Sequence, residues 1–142
     1  MSKVRIGYLR VLIVDDSRVQ RVAMHDMLQK SGFKHMDEAE NANQAYEKMD
    51  ALKYDVVFLD WMMPGRSGIS LMEEWRADRR YDSVAIVVCS MQEDKRMIAG
   101  ALKAGALKYI VKPVTEDKLN RALEEVMEWL ELQRKAREEQ AN

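Results

Sequence analysis

Two aspartates, Asp15 and Asp16, stand side by side directly after the apolar run VLIV at 11–14. Adjacent carboxylates repel each other, and burial increases the cost of their charge. A simple explanation is that one carboxylate caps the next helix while the other faces water. The pair therefore indicates a chemical site only if further charged groups gather around it.

Three more polar residues that could do chemistry, Asp60, Ser90 and Lys112, lie at or near the ends of short apolar runs. Most of these runs are continuous and rich in Val and Ile, which is typical of strands covered on both faces. The predicted strands are RVLIVD (10–15), MDEAE (36–40), YDVVFLD (54–60), SVAIVVCS (83–90) and KYIVKP (108–113).

Helical periodicity fills the segments between these strands. The first helix is predicted to end at Gly32, and Thr115 is expected to cap the last helix, which has two acidic residues in its first turn. Residues 68–77 and 93–104 are predicted to form two shorter helices. The predicted apolar faces are Val19, Val22, Ala23 and Met27 in the first helix, Ala42, Ala45, Tyr46 and Met49 in the second, and Leu119, Ala122, Leu123, Val126, Met127 and Leu130 in the last.

Strands that alternate with helices predict an α/β fold with a five-stranded parallel sheet and helices on both faces. MDEAE is the poorest in apolar residues and is predicted to be an edge strand. The carboxyl ends of parallel strands lie along one edge, where open α/β sheets bind ligands. We therefore expect Asp15, Asp16, Asp60, Ser90 and Lys112 to converge there.

The expected cluster combines three carboxylates, one ammonium and one hydroxyl. Three carboxylates so close together need a cation, and a site of oxygen donors without histidine or cysteine suits Mg²⁺ (or Mn²⁺). A divalent cation, a lysine and a hydroxyl could together neutralise the charge on a phosphoryl group during its transfer. A carboxylate in this setting can itself attack phosphorus and form an acyl phosphate.

These positions, together with MMPGRSG after Asp60, resemble the receiver domains of two-component response regulators. Within that family, FLDWMMPG and KYIVKPVT are most similar to CheY-like single-domain proteins. Matches at five positions, spread over four separate strand ends, make the resemblance specific. It covers residues 10–132 and implies a flavodoxin-like (βα)5 fold with strand order 2-1-3-4-5, which is the order known for CheY.

The resemblance also implies roles for the individual residues. After phosphorylation, Ser90 and Tyr109 are expected to move together and to change the face built from the fourth helix, the fifth strand and the fifth helix. The peptide bond between Lys112 and Pro113 is expected to be cis, which is uncommon for X–Pro bonds in general. The remaining roles are phosphoacceptor for Asp60, metal ligands for Asp15, Asp16, Asp60 and the backbone carbonyl of Met62, and phosphoryl contacts for Ser90 and Lys112.

The sequence departs from the family pattern beside the predicted site. Met91 follows Ser90, where the family usually has a small residue. Met62 and Gln92 occupy positions that flank the path of attacking water and are often polar or acidic in CheY-like proteins. We expect these three residues to modulate access to Asp60, either by slowing dephosphorylation or by restricting small phosphoryl donors.

The overall composition fits a single cytoplasmic domain. The chain has 142 residues, a formal net charge of −1, and 47% hydrophobic and 33% charged residues, so generic binding to nucleic acid or to a membrane surface is not expected. Cys89 is its single cysteine, which excludes an internal disulfide, and its apolar runs are too short to span a bilayer. Residues 1–9 are predicted to be an N-terminal tail, and 133–142 a polar extension of the last helix.

These features favour a phosphorylatable signalling module that is not an enzyme, apart from catalysing its own phosphotransfer and autodephosphorylation. The expected partners are a sensor histidine kinase or a histidine phosphotransfer protein, and an unknown target in chemotaxis or relay signalling. The protein is expected to be a monomer or a phosphorylation-dependent homodimer. One alternative is a receiver-like adaptor or dimerisation module that does not use phosphate. Another is a Mg²⁺-dependent phosphohydrolase, but Met62 stands where many such enzymes have a general acid.

Overall fold

The computed structural model describes residues 4–63, 65 and 67–141. Residues 1–3 and 142 of the two predicted tails, and Pro64 and Arg66 of the motif after Asp60, lie outside the described residues. Five parallel strands form one sheet in the order β2-β1-β3-β4-β5, which confirms the predicted fold and strand order. The strands are β1 (Arg10–Val14), β2 (His35–Ala39), β3 (Val56–Asp60), β4 (Ala85–Ser90) and β5 (Lys108–Val111).

Five α-helices cover the two faces of the sheet. They are α1 (Arg18–Lys30), α2 (Ala42–Ala51), α3 (Gly68–Ala77), α4 (Lys95–Lys103) and α5 (Glu116–Ala141), with short 3-10 helices at Ile6–Tyr8 and Arg79–Tyr81. α1 and α5 pack on one face of the sheet, and α2, α3 and α4 pack on the other. Among the described residues, no helix is both long enough and apolar enough to cross a membrane.

The central strands are apolar because both of their faces are covered. In β1, Leu12 and Val14 point into the core beneath α2 and α3, whereas Val11 and Ile13 point into the core beneath α1 and α5. Side chains that alternate between two buried faces produce a continuous apolar run, as the sequence shows. β2 lies at the edge of the sheet, as predicted, and its side chains are mostly half-buried.

The predicted apolar face of α1 is wrong for three of its four residues, since only Met27 packs against the core. Val19 and Val22 are 77% and 54% exposed, Ala23 is also exposed, and the buried stripe runs through Arg21, Met24 and Leu28. A helix turns about 100° per residue, so Val22 lies about 160° around the axis from Met24. The prediction equated apolar residues with burial, but a buried arginine with backbone and side-chain partners occupies the inner face. In α2, Tyr46 is likewise exposed, whereas Ala42, Ala45 and Met49 are buried as predicted.

Several predicted boundaries agree with the structure. Gly32, at φ 108°, follows the end of α1, and the Thr115 hydroxyl accepts a hydrogen bond from Lys118 N at the start of α5. α5 continues through the polar segment to Ala141. Before β1, Val4 and Leu9 are buried in the core, so a division at residue 10 leaves two core residues outside the domain.

Candidate functional site

The carboxyl ends of β1 and β3 bring the three aspartates together. Asp15 and Asp16 follow β1, Asp60 is the last residue of the neighbouring β3, and one carboxylate oxygen of each lies within 4.8 Å of the others. Asp15 and Asp60 are buried, whereas Asp16 is exposed. A buried pair of carboxylates beside a third, open to solvent, offers oxygen ligands to a hard divalent cation.

Lys112 enters this cluster from the end of β5. Its ammonium nitrogen lies 2.9 Å from Oδ2 of Asp15 and 3.4 Å from Oδ1 of Asp60. The side chains of these three residues are largely shielded from water, so their mutual attraction is less screened than at a surface. The peptide bond between Lys112 and Pro113 is cis, as the resemblance implied.

Backbone amides orient the two buried carboxylates. Ser17 N donates a hydrogen bond of 2.9 Å to Oδ1 of Asp15, and Met62 N donates one of 3.3 Å to Oδ1 of Asp60. Each donor lies two residues after its aspartate, in the turn where the chain leaves the strand. The turns after β1 and β3 therefore each help to orient a buried carboxylate through a backbone amide, in addition to its contact with Lys112.

The ionisation of Asp60 is unfavourable in this setting. Burial, and next the charge of Asp15, raise the pKa of Asp60 to about 6, although Lys112 and the Met62 amide act in the opposite direction. Burial by itself lowers the pKa of the Lys112 ammonium, but its hydrogen bond to Asp15 and the charges of both aspartates outweigh burial and raise it. One lysine therefore does not compensate for all the negative charge, and the residues present fit a bound divalent cation.

Ser90 ends β4, the strand next to β3, and is almost fully buried. Its hydroxyl oxygen accepts a hydrogen bond of 3.2 Å from Gln92 N. The Tyr109 hydroxyl donates to the backbone oxygen of the same Gln92 at 2.9 Å. The turn after Ser90 is therefore held through both backbone groups of Gln92. Ser90 binds the Gln92 amide, and Tyr109 binds the Gln92 carbonyl.

Sequence reasoning missed Arg21, which supports the site from α1. Its guanidinium donates to the backbone oxygen of Asp15 at 2.7 Å and to Glu38 on β2 at 3.0 Å. An arginine that is 9% exposed needs such partners, because an unpaired buried charge is costly. The signal in the sequence was the spacing of Arg21, which places it on the same helix face as Met24 and Leu28. This spacing indicates a buried arginine only once that face of α1 is known to be the buried one.

Gly68 was also missed. It is the first residue of α3, and a Cβ added there would lie 2.8 Å from the Asp60 carbonyl oxygen and 3.1 Å from the Trp61 Cα. The first distance is shorter than real Cβ contacts and the second is tighter than most of them, so the close approach of α3 to the end of β3 requires glycine. Its position three residues after Gly65 gave no indication of this contact.

The fold and the acidic cluster define a doubly wound α/β protein with three carboxylates gathered at the carboxyl edge of the sheet. The model of the response regulator receiver domain matches residues 11–124. The chain is 37% identical to chemotaxis protein CheY1 of Helicobacter pylori over 120 residues, which cover 84% of this chain and 97% of the relative. It is 38% identical to chemotaxis protein CheY of Thermotoga maritima over 118 residues, with 82% and 96% covered.

Solved structures agree with these relatives. Chemotaxis protein CheY4 of Vibrio cholerae superimposes with a TM-score of 0.76 at 25% identity, covering 83% of this chain and 98% of the other. A response regulator from Thermotoga maritima gives a TM-score of 0.75 at 30% identity, covering 84% and 98%. The chain belongs to the response regulator receiver domain family. Membership implies a signalling role and interaction with a histidine kinase or a phosphotransfer protein.

Proposed function

We propose that this protein is a phosphorylation switch in which Asp60 accepts a phosphoryl group from a histidine of a kinase or phosphotransfer protein. The observation that supports this most directly is the position of Asp60, a buried carboxylate next to Asp15 and 3.4 Å from the Lys112 ammonium. A lone buried carboxylate would favour its neutral, non-nucleophilic form. Neighbouring positive charge therefore serves both to ionise Asp60 and to receive the charge of the phosphoryl group.

In the proposed transfer, an oxygen of Asp60 attacks phosphorus while the P–N bond to the donor imidazole breaks. Lys112 and the Ser90 hydroxyl contact two of the phosphoryl oxygens and neutralise part of their charge. Lys112 is bound to Asp15 at 2.9 Å, which holds its ammonium beside the acceptor before any donor arrives. This arrangement is consistent with a site that is pre-organised for the transferred group.

We assign metal binding to Asp15, Asp16, Asp60 and the backbone carbonyl of Met62, with Mg²⁺ (or Mn²⁺) as the ion. A hard divalent cation supplies additional positive charge for the phosphoryl oxygens when it is bound. The three carboxylate oxygens within 4.8 Å of one another support this assignment. Replacing Asp16 with Asn should weaken Mn²⁺ binding, which can be followed by titration of the Trp61 fluorescence.

Switching is proposed to pass through Ser90 and Tyr109 to the face formed by α4, β5 and α5, where an unknown target binds. Phosphorylation adds about −1.5 to −2 charges, which attract the Ser90 hydroxyl. If Ser90 turns towards the phosphoryl group, its hydrogen bond from Gln92 N is lost, and the Tyr109 contact with Gln92 O is disturbed. A bias of about 2–3 kcal/mol would change the active population by one to two orders of magnitude.

Three side chains near Asp60 are proposed to control the lifetime of the phosphoryl group. Met62 is exposed on the turn after β3, Met91 is exposed on the turn after β4, and Gln92 follows Met91. Apolar side chains at such positions hold an attacking water less well than polar ones do. Met62→Asn adds a polar group that can hold water, and Met91→Ala removes a bulky side chain that narrows access to Asp60. Both variants should therefore shorten the half-life of the phosphorylated protein, and unchanged half-lives in both would contradict this role.

A mass measurement tests the proposal. The protein is incubated with acetyl phosphate and Mg²⁺, and we expect the addition of one phosphoryl group that is absent in Asp60→Asn. Absence of any addition with acetyl phosphate or with a phosphorylated histidine protein would instead support a phosphate-independent adaptor. Phosphate release over many turnovers would indicate a hydrolase, whereas our proposal expects only slow release by autodephosphorylation.

We also propose that the process is chemotaxis-like. The relatives named chemotaxis proteins are matched over 96–97% of their own length, so the likeness is to whole single-domain regulators. Deletion of the gene in its own host should impair migration through soft agar, and the wild-type gene, but not Asp60→Asn, should restore it. Restoration by the Asp60→Asn gene would overturn a phosphorylation-dependent role, and normal migration of the deletion strain would overturn the chemotactic one.

A further inference from the structure

The methionines of this protein differ sharply in exposure. Met62 and Met91 are 59% and 76% exposed, and they are the only exposed methionines within the described part of the chain. Met63, next to Met62, is buried at 8%. The other described methionines are buried (Met24, Met49, Met72) or partly buried (Met27, Met36, Met97, Met127).

Both exposed methionines lie beside the acidic site. Asp60 on β3 and Cys89 on β4 are partners in the sheet. Met62 lies two residues after Asp60, and Met91 lies two residues after Cys89, where the chain leaves each strand. The two exits stay together, because Trp61 N donates to Cys89 O at 3.1 Å. Adjacent strands are about 4.8 Å apart, so the two thioethers belong to neighbouring turns at the same edge as Asp60.

We propose that Met62 and Met91 form an oxidation-sensitive rim that regulates the lifetime of the phosphoryl group on Asp60, an inference that rests on the function proposed above. The oxidant is a peroxide. The thioether sulfur attacks one peroxide oxygen, the O–O bond breaks and an S–O bond forms. With hydrogen peroxide, the oxygen now bound to sulfur still carries a proton. The hydroxide released from the peroxide takes this proton and leaves as water, so sulfur is oxidised by two electrons and the peroxide is reduced by two.

The chemical consequence is a change of polarity at the rim. A thioether is a weak hydrogen-bond acceptor, whereas a sulfoxide is polar and accepts strongly. A sulfoxide oxygen beside Asp60 can hold a water molecule, and water is the nucleophile that hydrolyses an acyl phosphate. Oxidation therefore shortens the signal, and reduction by a methionine sulfoxide reductase restores it. Buried Met63 is shielded from the oxidant and serves as an internal reference in the same peptide.

The first measurement maps oxidation without phosphorylation. The full chain is treated with hydrogen peroxide, and peptide mass spectrometry follows each methionine with time. We expect Met62 and Met91 to oxidise about tenfold faster than Met63, because exposure controls the rate. Equal rates at Met62, Met91 and Met63 would overturn the proposed modification site.

The second measurement compares the half-life of the phosphorylated protein before and after peroxide treatment. We expect treatment to shorten it about two- to tenfold, the effect of one hydrogen bond on a barrier. The Met62→Leu, Met91→Leu double variant should give a treated-to-untreated ratio near one, and Met62→Gln, Met91→Gln should resemble the oxidised protein without treatment. A shortened half-life in the treated leucine variant, or an unchanged one in fully oxidised wild type, would overturn the regulation. If the untreated protein accepts no phosphoryl group, the proposed function and the regulation both fail, whereas the oxidation map still decides the modification site.

Discussion

Lys112 Nζ lies 2.9 Å from Oδ2 of Asp15, although the two residues are 97 positions apart in the chain. The contact joins the ends of β1 and β5, which are separated in the sheet by β3 and β4. The Lys112 side chain therefore extends along the carboxyl edge past the neighbouring strand β4. It contacts Asp60 at the end of β3 and Asp15 after β1. This relationship places the positive charge of the site next to its two buried carboxylates.

Lys112→Met should destabilise the protein mainly at high pH. The variant leaves Asp15 and Asp60 buried without their cation, and we expect unfolding free energy to fall by about 2–4 kcal/mol at pH 8. The loss should be smaller at pH 5, where Asp60 can take up a proton. Urea denaturation at both pH values measures this, with the exposed Lys53→Met as the control. Equal losses at pH 5 and pH 8 would show that packing rather than charge is responsible.

Asp60→Asn should stabilise the protein in the absence of divalent cations. The pKa of Asp60 is about 6 in the folded state, above its ordinary value of 3.8, so the folded state holds this proton more tightly than the unfolded state. Wild-type stability therefore falls as the pH rises from about 4 to about 6, and the deficit is complete above that range. We expect Asp60→Asn to be more stable by about 1–3 kcal/mol at pH 7.5 and similar to wild type at pH 4.

Thermal unfolding in a chelator checks this pH profile. The exposed Asp26→Asn on α1 is a suitable control, since it removes one negative charge far from the buried pair. A stabilisation that is the same at pH 4 and pH 7.5 would contradict the assignment to Asp60 ionisation.

Arg21→Met should destabilise the protein and weaken the positioning of Asp15 in the acidic site. The variant removes the hydrogen bond to the Asp15 backbone and the ion pair with Glu38, and a stability loss of about 2–4 kcal/mol is expected. Because Arg21 positions Asp15 without contacting the proposed ligand, Mn²⁺ affinity should also decrease. Arg18→Met, an exposed arginine on the same helix, is the matched control. Unaltered Mn²⁺ affinity in a folded Arg21→Met protein would limit Arg21 to a structural role.

Gly68→Ala should distort the end of β3. The added Cβ would meet the Asp60 carbonyl oxygen at 2.8 Å, which requires backbone movement and should cost about 1–3 kcal/mol. Gly100→Ala in α4 is the control, because no atom lies within 4 Å of the added Cβ and alanine favours helix by about 1 kcal/mol. We expect opposite changes in melting temperature, and slower labelling by acetyl phosphate only in Gly68→Ala. A Gly68→Ala melting temperature equal to that of wild type would mean that α3 can move away from β3 without loss of stability.

Tyr109→Phe tests the proposed coupling between the site and the α4–β5–α5 face. Removing the hydroxyl deletes its hydrogen bond to Gln92 O, which restrains the turn after Ser90. Amide signals of residues 91–98 should then shift part of the way towards their positions in the fluoroberyllate-bound wild type, in which fluoroberyllate replaces the phosphoryl group. Leu102→Ala, an exposed residue of α4, should not produce this shift. Signals displaced in an unrelated direction would argue against Tyr109 as the link.

Part of the site could be predicted because it depends on local pattern. Each buried strand is marked by its own apolar run, and Asp15, Asp60, Ser90 and Lys112 stand where those runs end. Parallel strands share one carboxyl edge, so convergence followed from fold class. The order of the strands did not follow from periodicity and came from the resemblance to receiver domains.

The errors and omissions arose where distant segments meet. Their apolar character predicts that Val19 and Val22 belong to the core, but the packing of α1 against the sheet buries Arg21 instead. The requirement for Gly68 exists only because α3 begins against the backbone of Asp60. Likewise, nothing local distinguishes exposed Met62 from buried Met63.

The sequence by itself therefore determined the five strands, the chemical character of the residues at their ends, and the class of site that they form. Only the tertiary structure decided which face of each helix is buried, which side chains reach across the sheet, and which remain open to solvent. The physical reason is that strand and helix periodicity is set by neighbouring residues. Burial, ion pairing and close backbone approach are set instead by segments far apart in the chain.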